Sequence, residues 1–186
     1  MLDIIELERT LLDACVNQVP SLNNDNVILM PYNSAEPPAP YMGIQTLELP
    51  HVCREIEGDV DPATGLRPVT QHYQWRVRFR AIGQNDPVTK ALTVSATALI
   101  QELALYLSTE VMRDELRASH ISMLRVGAPR RSPVLKDNEY EDQAYIDVKF
   151  GVADQIDEFI SFVETLEDTQ GSYKRHPDDP DPIITP

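Results

Sequence analysis

Glycine is scarce in this chain, with seven among 186 residues, and none of them builds a Gly-rich phosphate loop, a Walker sequence or a GxSxG elbow. Nucleotide-dependent and esterase-like chemistry therefore have no local support. Cysteine is scarcer still: Cys15 and Cys53 are too few for a disulfide framework, and neither lies in a CxxC or a Cys/His cluster of zinc spacing. The four histidines, His51, His72, His120 and His176, show no i, i+4 pairing and no HExxH, and His51-Val52-Cys53 offers two ligands where a metal needs more. Long apolar runs are missing, as no stretch approaches the ~18 residues of a membrane span. Met1 to Glu8 places acids where a secretory signal needs a basic start, so the expectation is a soluble, unprocessed chain. Bases are the last shortage. Lys plus Arg is 16 against 30 Asp plus Glu, a net charge of −14, which opposes general attraction to nucleic acid or an anionic membrane.

What is present is periodicity. Ile4, Leu7, Leu11, Leu12, Cys15, Val16 and Val19 recur at helical spacing, with Glu6, Glu8, Arg9 and Asp13 read as the polar side, and Pro20 ends the pattern. Val27–Met30 leans to strand, the prolines of 31–40 make an extended loop, and Met42–Leu49 has period-two character. Residues 51–67 are polar, with a turn signal at Asp61-Pro62-Ala63-Thr64-Gly65. Tyr73, Trp75, Val77, Phe79 and Ala81 then alternate with His72, Gln74, Arg76, Arg78 and Arg80, the pattern of a strand with one buried and one wet face.

Asp86-Pro87 reads as a helix entry, leading into a long apolar stripe from Val88 to Leu107, and residues 109–116 add a helical turn or two. His120–Val126 is β-leaning, 128–142 reads as a long loop, and Gln143–Val152 alternates as a second clear strand. Residues 158–166 fit a helix stripe or a strand equally. The order predicts an α+β fold, a mixed or antiparallel sheet with an N-terminal helix and a long central helix packed on one face. One domain over 1–168 is expected, followed by an acidic, proline-rich disordered tail over 169–186. Residues 137–186 alone hold 14 acids against three bases, so most of the excess charge lies at one end.

Arg76, Arg78 and Arg80 place three cations on the wet face of one strand, roughly 6–7 Å apart. The aromatic residues lie on the opposite face, so no stacking platform for bases results, and pairing with acids on a neighbouring strand or subunit is the better reading. Arg130 and Arg131, in a proline-flanked loop, are equally a partner contact or merely solvated. The acidic clusters at 139–142 and 154–158 lack the glycine and oxygen spacing of a calcium loop and read as solvated turns. No catalytic, cofactor or metal residues are therefore assigned.

Several stretches, in this order and spacing, resemble the phage neck and tail terminator proteins: the N-terminal helix; Pro31-Tyr32 and Pro40-Tyr41-Met42-Gly43-Ile44-Gln45; Tyr73 to Gly83 running into a helix; and Tyr140 to Phe150. The resemblance covers most of residues 1–168. It implies a structural rather than catalytic virion protein, assembled in the host cytoplasm. A hexameric ring would cap the tail tube, stop its polymerisation and meet the head-tail connector, while genomic DNA passes through an acidic lumen unbound. It also implies that 158–166 is a final strand. On this reading Arg76, Arg78, Arg80, Arg130 and Arg131 contribute subunit or tube contacts. The rival classes are another head-tail connector or head completion protein, and a small enzyme with an unrecognised site.

Overall fold

A computed structural model describes residues 3–30, 36–50, 56–61, 64–86, 88–89, 91–136 and 138–159. Residues 31–35 of the 31–40 proline loop, the His51-Val52-Cys53 segment, the 158–166 question beyond Phe159 and the 169–186 tail lie outside the described residues.

In chain order the elements are α1 (Ile4–Gln18), β1 (Val27–Met30), β2 (Tyr41–Glu48), β3 (Ile56–Glu57), β4 (Leu66–Ile82), β5 (Gln84–Asn85), β6 (Leu92–Val94), α2 (Ala96–Leu107), α3 (Glu110–Ala118), β7 (Ile121–Val126), β8 (Arg130–Arg131), β9 (Val134–Lys136), β10 (Glu139–Glu141) and β11 (Gln143–Phe159). The fold is α+β with a mixed sheet in the order β1-β2-β4-β11-β7, to which β3 adds on β4 and β8 on β11. Among the described strands of this sheet only β1 and β2 run parallel; the other pairs are antiparallel. The spine is β4 against β11, in unbroken register from Gln143 opposite Ile82 to Phe159 opposite Leu66.

All three helices cover one face of this sheet. Alternation puts Trp75, Val77, Phe79 and Ala81 of β4, and Ala144, Ile146, Val148 and Phe150 of β11, on the covered side at full burial. Against them pack Leu11 and Cys15 of α1, Ile100, Leu103 and Leu107 of α2, and Met112 and Leu116 of α3. Asp3 caps α1 by accepting from the Ile5 amide at 2.9 Å, and Thr109 caps α3 through the Met112 amide.

The structure departs from the sequence pattern in four places. The long central helix is replaced by a 12-residue one, because Leu92–Val94 is a strand that pairs with Gln84–Asn85. Asp86 does accept amide hydrogens, from Val88 and Thr89, but they close the hairpin turn instead of opening a helix. The expected loop at 128–142 holds β8 and the β9–β10 hairpin, whose turn uses Asn138 at φ 64°. β4 begins at Leu66 and β11 reaches Phe159, longer than the alternation shows, because their outer halves pair mainly with each other. Finally, Glu8 is buried at 3% exposure on the inner side of α1, where it accepts a hydrogen bond from Thr46 Oγ1 at 2.6 Å.

Candidate assembly interface on the open sheet face

Pleating that buries Trp75, Val77, Phe79 and Ala81 of β4 turns the residues between them to the face that no described element covers. Arg76, Arg78 and Arg80 are therefore adjacent there, and register sets their neighbours: Glu48 and Lys149 beside Arg76, Gln45 and Asp147 beside Arg78, Gly43 and Tyr145 beside Arg80. Gly43 admits the Met30 side chain, since a Cβ there would stand 2.3 Å from its sulfur.

The three arginines are occupied within the chain. Arg78 donates to both carboxylate oxygens of Asp147, from Nε at 2.7 Å and Nη2 at 3.1 Å, and its guanidinium lies 4.5 Å from the Tyr145 ring centroid. Arg76 donates to Glu48 at 3.0 Å and reaches Asp147 at 3.5 Å, and Arg80 donates to Gln143 Oε1. Arg131 pairs with buried Asp142 at 3.1 Å, whereas Arg130, exposed on β8 opposite Tyr145, has no ion pair among the described residues. Of the five arginines picked from sequence, the structure thus gathers Arg76, Arg78, Arg80 and Arg130 on one face. It sends Arg131, itself exposed, to the carboxylate of buried Asp142.

The junction at Asp142 was not visible in local pattern. Asp142 Oδ2 accepts from the Ala96 amide at 2.9 Å, its Oδ1 takes Arg131, and its carbonyl accepts from the Gly83 amide at 2.8 Å. One acid so joins the end of β4, the start of α2 and β8. Gly83 is required by the close approach: a Cβ there would stand 2.6 Å from the Val94 carbonyl oxygen and 2.9 Å from the Ala96 nitrogen.

The Arg78 guanidinium hydrogen-bonded to Asp147 holds its carboxyl below the usual carboxylate range; partial burial opposes this and Arg76 adds to it. A carboxyl depressed by folding contributes stability that is fully present above its unfolded pKa and is lost as pH falls through the folded one. Arg78→Gln is expected to move the Asp147 titration, followed by carboxyl-carbon NMR, up toward ordinary aspartate. The variant should be less stable near neutrality, and the share of the acid-induced loss that Asp147 contributes should shrink, because its folded and unfolded pKa then nearly coincide. A titration that stays where it was would dissolve the pair.

Among the described residues no three His, Cys, Asp or Glu side chains converge as metal ligands, and no helix is long and apolar enough to cross a membrane. Burial, with a smaller push from the Glu115 carboxylate, raises the Cys15 thiol to about 12, far from a reactive thiolate. Surface hollows exist, such as the one lined by Gln45, Arg78, Arg80, Ser132, Gln143 and Tyr145, and this one belongs to the same open face.

Fold and site together define a class: a two-layer α+β protein with helices on one side and a cation-rich sheet face on the other. The chain belongs to the family of phage neck terminator proteins, which matches it over residues 3–176. It is accordingly a structural component of the phage virion, at the neck. No curated protein matches the chain in sequence.

Proposed function

We propose that this chain caps the phage tail tube as a hexameric ring, stops tube polymerisation and presents the surface on which the head-tail connector docks. The observation that carries the reading is the family match across 3–176, which includes every element of the sheet and all three helices. Physically, termination is blocked addition. A terminator copies the docking surface of one end of a tube subunit and lacks the other, so a heterologous assembly closes where it would otherwise grow.

The charge pattern supports the same reading. A net charge of −14 suits a ring through which DNA passes without binding. The open sheet face is the exception, with Arg76, Arg78, Arg80, Arg125, Arg130 and Lys149 against Glu48 and Asp147. Facing the lumen, it would hold phosphate; the reading therefore sets it against protein, with Arg125 and Arg130 as the arginines that have no ion pair among the described residues. Tail tubes imaged by electron microscopy, after disruption of this gene in the parent phage, are expected to be overlong, variable and headless. Tails of normal length that only fail to join heads would move the chain to a connector role.

A further inference from the structure

One row across the open face breaks the rule that facing side chains on neighbouring strands should not share a charge. Arg76 on β4 stands opposite Lys149 on β11, and Lys149 stands opposite Arg125 on β7, so three cations are consecutive at the strand spacing of about 5 Å. Arg76 has Glu48 and Asp147. Lys149 and Arg125 are exposed, and neither has an ion pair or hydrogen-bonded side chain among the described residues. Such an arrangement costs the isolated chain stability, and departures of this kind concentrate where a surface has a task.

A second irregularity lies at the same point. The β7–β11 register slips between Lys149 and Phe150, so that Leu124 of β7 has no opposite residue. The extra residue lies over Gly151, whose missing Cβ would stand 3.4 Å from a Leu124 methyl, and it remains 54% exposed. The bulge thus leaves one apolar side chain exposed beside two cations that have no ion pair among the described residues, an apolar anchor with a charged rim.

The complement of that patch is found on this same chain. The first turn of α1 exposes Ile4 at 42% and Ile5 at 46%, bracketed by Asp3 and Glu6. It belongs to the helical layer, and its hollow is lined by Val152, whose side chain is on the covered side of the sheet, so it lies across the sheet from Leu124. One copy cannot bring the two together within itself, and a contact between them is head-to-tail.

We infer that the Leu124–Arg125–Lys149 patch is a subunit interface that receives the Asp3–Glu6 turn of α1 from a second copy of this chain. The inference rests on the self-assembling ring of the preceding section and names the surfaces that meet in it. The opposed cations are neutralised by Asp3 and Glu6 of the incoming copy, and Leu124 packs against its isoleucines. Steering by these charges makes the association weaken with salt.

The test is sedimentation equilibrium of the full chain at low and high salt, with thermal melting of each variant. Lys149→Glu places an acid between Arg76 and Arg125, so it should melt no lower than wild type while associating at least tenfold more weakly. That opposition of signs is what a merely structural lysine would not show. Glu6→Lys should weaken association similarly, and the two changes combined in one chain should recover most of it. Should Lys149→Glu fail to fold, Lys149→Gln and Arg125→Gln relieve the repulsion without a new acid and must give the same pair of signs. Oligomers that form undiminished in these variants would overturn the contact and leave the ring standing. A wild-type chain that stays monomeric at every concentration and salt would remove the self-assembly on which the contact depends.

Discussion

Replacing Trp75 with alanine is expected to cost ~3–5 kcal/mol, the largest single loss foreseen in this chain. The indole is fully buried at the centre of β4, with its ring centroid 5.5 Å from that of Phe150 on β11. Truncation leaves a cavity between the two spine strands and the helices above them, and strands in unbroken register are poorly placed to collapse into it. A polar loss adds to this. Trp75 Nε1 donates to Thr46 Oγ1 at 3.0 Å, and Thr46 in turn donates to the buried Glu8 carboxylate at 2.6 Å. Against a total stability of ~5–15 kcal/mol, the variant should unfold at a markedly lower denaturant midpoint, measured by urea titration with circular dichroism. Trp75→Phe fills most of the space and forfeits the hydrogen bond, so it should lose ~1–2 kcal/mol. Equal losses for the two would mean that the Thr46 bond, and not the volume, holds this part of the core.

How far the fold was legible in sequence follows from where each partner lies. The central half of β4 was readable because its alternation extends without interruption from His72 to Ala81, and the same holds for Gln143–Val152. Its outer half was not. Only Val69 is deeply buried between Leu66 and Gln74, so most of the signal that pleating writes into a two-sided strand is missing there. At 88–94 the apolar residues suit a helix stripe as well as a hairpin, and what decides between them is remote: the first amide of α2 is capped by Asp142, 46 residues further on. Glu8 is a different case, since the three- and seven-residue spacings to Leu11 and Cys15 place it inward whatever its charge.

The candidate site divides in the same way. The arginine triplet was visible as a charge pattern, and an acid on the neighbouring strand was the natural partner for it. That the acid is Asp147 depends on the β4–β11 register, which no window of local sequence contains. The Lys149–Arg125 opposition is two registers deep and needs the bulge at Leu124 as well. Family membership, by contrast, was readable from the order of ordinary strands and helices, none of them a signature alone.

The second large effect is expected at Asp142. Asp142→Ala should lower stability by ~2–3 kcal/mol, or ~5–10 °C in melting temperature for a chain of this size. The residue is 7% exposed, and its carboxylate is shared between the Ala96 amide and the Arg131 guanidinium. Nothing local replaces it, because the Ser95 side chain makes no cap hydrogen bond to α2 and the first turn of that helix has no acid. Alanine keeps the backbone bond to Gly83 and the β8–β11 pairing, so the end of β4 and β8 stay joined to β11 while the first turn of α2 loses its cap and Arg131 its carboxylate. Asp142→Asn retains an acceptor for Ala96 and loses the charge facing Arg131; its loss should be half or less. Arg131→Ala, removing a side chain that is 64% exposed, should fall below ~1 kcal/mol. That ranking, alanine at 142 worst and alanine at 131 mildest, holds only if Asp142 acts chiefly as the helix cap. A ranking with Arg131→Ala equal to Asp142→Ala would instead make the ion pair the structural element, and would tie the strand carrying Arg130 to the stability of the whole sheet.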